Sequence, residues 1–99
     1  MTGKASMRYI RQIHLEYPAT SNQHISQIRF STTPTGAMST ETRASVIRNI
    51  ENRWQSYYWY DERSGDEGRV TTGSTDWGTK CIATAHDEAA ADLLKLPRF

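Results

Sequence analysis

Ninety-nine residues are enough for one small domain with a single core. Hydrophobic residues make up 36% of the chain and charged residues 23%, with a mean hydropathy of −0.72, and no run reaches the length of a membrane span. A net charge of +1 argues against a strong field for nucleic acid or an anionic membrane.

The charge is nevertheless uneven. Residues 1–55 hold seven basic and three acidic side chains (+4), and residues 56–99 hold five and eight (−3). Nine of the twelve basic residues are Arg, suited to planar or bidentate contacts, although a GC-rich genome produces the same bias. Three Trp, five Tyr and two Phe supply the buried area that a Leu- and Val-poor chain lacks. The single cysteine, Cys81, allows neither an internal disulfide nor a cysteine-based zinc site. The opening MTGKASM has no apolar leader, so a cytoplasmic location is expected, with residues 1–6 a flexible segment and 7–99 one domain.

Two segments echo each other fifteen residues apart: YIRQIHL from Tyr9 and HISQIRF from His24. In each, apolar residues fall at i, i+3 and i+5, namely Ile10, Ile13, Leu15 and Ile25, Ile28, Phe30. That spacing breaks strict alternation and predicts strands bulged at the Arg11-Gln12 and Ser26-Gln27 steps. As an antiparallel hairpin they would set Ile10 opposite Phe30 and Leu15 opposite Ile25, with the turn formers of EYPATSNQ between them.

Pro34 and Gly36 then break the chain, and Ser39 or Thr40 is expected to cap a helix with Glu41 near its positive end. Val46, Ile47, Ile50 and Trp54 recur at helical spacing as its apolar stripe. The aromatic run WQSYYWY reads as a strand. A charged turn, DERSGDEG, follows it. Residues 69–74 and 79–85 read as paired strands around the turn TDWG. Asp87 can cap a last helix whose Ala90, Leu93 and Leu94 face inward, ended by Pro97. The expected fold is α+β: a twisted antiparallel sheet of about five strands with two helices, in the order β-β-α-β-β-β-α.

HISQIRF, the pair Ile47 and Ile50, SYYWY, Thr84, Asp87 and the ending LLKLPRF occur in this order. In that series the chain resembles a family of small bacterial and phage domains, the domain of unknown function 3892. The resemblance spans most of residues 24–99; it departs at Asp92, where Asn is usual, and in the long loop 61–68. It implies the same strand and helix order and carries no established activity, so it assigns no catalytic residue.

The chemistry-bearing residues read blandly. His14 and His24 approach the open end of the hairpin, with Glu16 as a third ligand at best, which is thin for zinc. His86 reads as a turn residue and Cys81 as a small buried hydrophobe without a Cys-x-x-Cys partner. Asp61, Glu62, Asp66 and Glu67 sit in a glycine-bearing turn and miss the calcium-loop pattern. No phosphate loop, dinucleotide fingerprint or nucleophile elbow occurs, so neither enzyme activity, nor a metal, nor a cofactor is expected.

That leaves the aromatics. Strand alternation sends Tyr57 and Trp59 to one face and Tyr58 and Tyr60 to the other. With helices on the Trp59 face, Tyr58, Tyr60 and the loop residue Trp77 become a candidate partner-binding patch. The alternative with no partner is that the outward tyrosines merely pack on Thr71 or Thr84. The expected function is a small non-catalytic protein-binding or adaptor module. Self-association, or action of a phage- or mobile-element-borne copy on a host protein, falls within that class. The alternative is a single-stranded nucleic-acid binder that stacks bases on these rings, against which the acidic neighbours Asp61, Glu62 and Asp76 argue.

Overall fold

The computed structural model describes residues 6–75, 77–85 and 91–99. The two echoed segments are neighbouring antiparallel strands, β1 (Ser6–Leu15) and β2 (Ile25–Ser31). Ile10 faces Phe30 and Leu15 faces Ile25, and the register slips once at Arg11 and once at Ser26. Each bulge shifts the alternation by one residue, which puts Ile10, Ile13, Ile25 and Ile28 together in the core, all fully buried. The i, i+3, i+5 spacing is therefore the sequence record of two bulged strands.

The next segment differs from expectation. Ser39–Thr42 is a strand, β3, paired antiparallel to β2 at the sheet edge. The β-branched Thr40 and Thr42 suit it, and the pairing delays the helix, so Thr42 is the cap and accepts from Ser45 N at 3.2 Å. Helix α1 (Arg43–Glu51) has nine residues and buries Val46 and Ile47 against the sheet. It ends in a Schellman arrangement, Trp54 N donating to Asn49 O and Arg53 N to Ile50 O, with Arg53 at φ +59°. Trp54 thus lies beyond the helix and is exposed rather than closing its apolar stripe.

The chain crosses over through α1 and returns as β4 (Gln55–Asp61), which pairs parallel to β1, Tyr9 opposite Tyr58 and Ile10 opposite Trp59. The sheet is consequently mixed, not antiparallel, and has six strands in the order β3-β2-β1-β4-β5-β6. A helical crossover brings a strand back in the same direction, and β1 had a free edge to receive it. Beyond Ile10 that same edge is taken by the C-terminal residues: Ile13 N donates to Pro97 O and Phe99 N to Ile13 O.

A short turn with Gly65 at φ +80° joins β4 to β5 (Asp66–Ser74), so Asp66 and Glu67 are strand residues rather than loop. β5 pairs with β4 only as far as Arg69–Tyr58, then with β6 (Lys80–Thr84) from Val70 onward. The sheet forks at that step. Helix α2 (Ala91–Leu94) buries Leu93 and packs the half-buried Leu94 against the core, as expected, and Leu96 follows into the core. The expected cap Asp87, together with Ala90, His86, Asp76 and residues 1–5, lies outside the described residues. Among the described residues no helix is long and apolar enough to cross a membrane.

Candidate functional site

Tyr57 and Trp59 point into the core, and Tyr58 and Tyr60 are half-buried on the opposite face. The structure adds a third ring that the sequence reading missed. Tyr9, brought beside Tyr58 by the parallel β1–β4 pairing, lies 6.4 Å from Tyr58 (tilted, 40°) and 6.2 Å from Tyr60 (edge-on, 79°). Each such ring pair contributes about 0.5–1.5 kcal/mol beyond its area. Tyr9 was not legible because nothing in the chain announces a parallel neighbour for β1.

Across the other edge, Tyr58 and Tyr60 face Arg69 and Glu67, not the expected Thr71 or Thr84, which belong further along in the β5–β6 pair. Trp77 is 94% exposed in the turn beyond Ser74. Ser74 lies five positions along the strand from Arg69, roughly 17 Å, so Trp77 stands apart from the tyrosines. The expected patch is thus divided: Tyr58 and Tyr60 gain Tyr9 and lose Trp77.

Two sets of contacts lie beyond Tyr9 along β1. At one, the bulge residue Arg11 is buried and donates to Gly36 O at 2.8 Å and to Glu62 Oε2 at 2.9 Å. At the other, the Phe99 ring sits between His14 (5.6 Å) and the Arg29 guanidinium (4.2 Å).

On the helix face the sheet carries a buried polar cluster around Glu41. Its carboxylate accepts from Tyr57 Oη (2.6 Å), Ser45 Oγ (2.6 Å), Asn49 Nδ2 (2.9 Å) and Arg8 Nη1 (3.2 Å). Asn49 Nδ2 also donates to Tyr57 Oη at 2.9 Å. The expected role of Glu41, a charge near the helix start, gives way because β3 aims it beneath the helix beside Ile28. Four donors around one carboxylate form a closed structural knot with no open position for a substrate.

Burial pushes the Tyr57 phenol up from 10.0 to about 12, reinforced by the Glu41 carboxylate and opposed by Asn49 and Arg8. A raised pKa means that the neutral phenol is favoured in the fold. The contribution is therefore complete below pH 10 and is lost as pH rises towards 12. Urea titrations at stepped alkaline pH are expected to show stability of the wild type falling more steeply than that of Tyr57→Phe across this window. Equal slopes would mean that the Tyr57 hydroxyl is solvated.

The remaining candidates separate. His14 engages the Phe99 main-chain oxygen, whereas His24 Nδ1 accepts from the main chain of Thr20 and Ser21. Cys81 is buried, with Asn22 Nδ2 at 3.7 Å from its sulfur. Asp61 is held by Arg63, whose hydrogen bonds keep its carboxyl below the usual range, and Glu62 by Arg11. Two of the four acidic residues, Asp61 and Glu62, are thus tied to arginines. Among the described residues no group of three or more His, Cys, Asp or Glu is placed to hold a metal.

Comparison of the chain with protein-family models, with curated proteins and with solved structures gives no match. The tyrosine cluster stands on its geometry alone.

Proposed function

We propose that the protein is a small non-catalytic binding module whose outer sheet face, centred on Tyr9, Tyr58 and Tyr60, docks a protein surface, with a second copy of the chain as the occupant. The observation that carries this reading is the three-ring cluster on the sheet face opposite α1. Tyrosine offers large, rigid, amphipathic area, which is what concentrates binding energy at interfaces. The charge of the face supports a protein partner over nucleic acid. Arg69 and Glu67 flank the rings with opposite signs, and the chain as a whole is near neutral. Two copies can therefore meet without like-charge repulsion, whereas a phosphate backbone meets Glu67 and Glu62 as well as arginine. Single-stranded nucleic acid is for that reason the weaker occupant.

Sedimentation equilibrium of the wild type is expected to show a concentration-dependent dimer, and Tyr58→Ala/Tyr60→Ala is expected to sediment as a monomer with its far-ultraviolet dichroism unchanged. A wild type that stays monomeric at the highest attainable concentration overturns the reading. Salt-sensitive binding of single-stranded DNA or RNA, lost in the same variant, would favour the other occupant.

A further inference from the structure

The tyrosines of the outer face have charged neighbours in a fixed arrangement. Tyr58 lies directly opposite Arg69, and Tyr60 directly opposite Glu67, in the antiparallel β4–β5 pair, and residues so paired share a face. The four side chains form a rectangle whose two rows are about 7 Å apart along the strands. Its β4 column is tyrosine throughout, whereas its β5 column is a cation at one corner and an anion at the next. Both charges are exposed, and among the described residues neither Arg69 nor Glu67 forms a salt bridge. The nearby carboxylates Asp61 and Glu62 are, by contrast, engaged by Arg63 and Arg11.

Symmetry limits how such a rectangle can meet itself. Two identical faces pack against each other through a two-fold axis that lies in the interface, since only that rotation turns one face towards the other. An axis running along the strands, between the columns, lays β5 of one copy over β4 of the other. Each Glu67 then presses its carboxylate on a Tyr60 ring, whose face carries negative charge density. An axis running across the strands, between the rows, exchanges the rows and keeps the columns. Tyrosine then meets tyrosine, and Arg69 of each copy meets Glu67 of the other, twice by symmetry.

From this geometry we infer, resting on the self-association proposed above, that the two copies pack with β5 antiparallel to β5 across the second kind of axis. Reciprocal Arg69–Glu67 ion pairs flank crossed Tyr58–Tyr60 contacts. Arg69 and Glu67 are thereby the residues that set the direction in which a second copy docks. Charges at the border of an interface act in this way, on orientation and choice of partner more than on raw affinity. Arginine suits the place because its planar fork can hold a carboxylate through two hydrogen bonds.

The test exchanges the charges and follows association by sedimentation equilibrium, with far-ultraviolet dichroism confirming that each variant is folded. Arg69→Glu alone, and Glu67→Arg alone, set like charges against each other at both symmetric contacts. Each variant should dimerise about 10- to 100-fold more weakly than the wild type. An equimolar mixture of the two should regain association near the wild-type strength, because one copy then offers two carboxylates at these positions and the other two guanidiniums. Variants that dimerise like the wild type, or a mixture no stronger than its components, overturn this arrangement and leave self-association standing. Weakening by Arg69→Glu but not by Glu67→Arg, without recovery on mixing, does the same and favours the axis along the strands. A wild type that stays monomeric overturns both.

Discussion

Glu41→Ala is expected to lower the free energy of unfolding by about 3 kcal/mol, the low end of what breaking a buried ion pair costs, since Arg8 keeps some water. The side chain of Glu41 is 10% exposed and that of Arg8 23%, which places the pair between core and surface. Removal of the carboxylate strips an acceptor from Tyr57 Oη, Ser45 Oγ, Asn49 Nδ2 and Arg8 Nη1 together. Tyr57 cannot turn to water, because only 1% of it is exposed, so its hydroxyl keeps the Asn49 contact and loses the stronger one. Glu41→Gln retains the shape but presents an amide N–H₂ to donors that already point inward, at about 1–3 kcal/mol. Urea denaturation with an unchanged m-value reads both numbers. A loss below about 0.5 kcal/mol for Glu41→Ala would place the cluster with ordinary surface ion pairs and would contradict its structural role. For a domain stabilised by about 5–15 kcal/mol, this one carboxylate ties β1, β3, β4 and α1 together for a large share of the total.

Gly68→Ala is expected to cost about 1–3 kcal/mol by overpacking, despite the usual benefit of replacing glycine. The reason is steric and local. A β-carbon at Gly68 would lie 2.4 Å from Trp59 Nε1 and 2.7 Å from Cε2, closer than van der Waals contact permits. The indole lies across Gly68 as its cross-strand neighbour, and with only 7% of Trp59 exposed the ring has little room to retreat. Trp59→Phe shortens the ring and should remove most of the penalty, so the double change should be more stable than the sum of its parts by about 0.5–3 kcal/mol. Thermal or urea unfolding of the four-member cycle measures that coupling. Tryptophan emission adds a second reading, because Trp54 and Trp77 are exposed and only Trp59 reports a buried indole. Strict additivity would show that the ring moves aside freely.

The local part of this fold could be read from the chain, and the reason is physical. The β1–β2 hairpin is encoded twice, in two copies of one apolar spacing, and each irregular step corresponds to a bulge. The inward and outward division of Tyr57 to Tyr60 follows from strand alternation alone. What escaped were decisions made by distant segments. Whether Ser39–Thr42 caps a helix or pairs as a strand depends on the free edge of β2, and polar threonines serve either state. The parallel β1–β4 pairing depends on where the helix returns the chain, and with it went Tyr9, the third member of the ring cluster.

Self-association as proposed requires that the tyrosine face meet its equal in a second molecule. Isotope-filtered nuclear Overhauser measurements on a mixture of labelled and unlabelled chains test it most directly. Intermolecular contacts are expected between the rings of Tyr9, Tyr58 and Tyr60 of one copy and the same face of the other. Intermolecular contacts confined to α1 or to Trp77, or none at concentrations where the rings are observable, would contradict it.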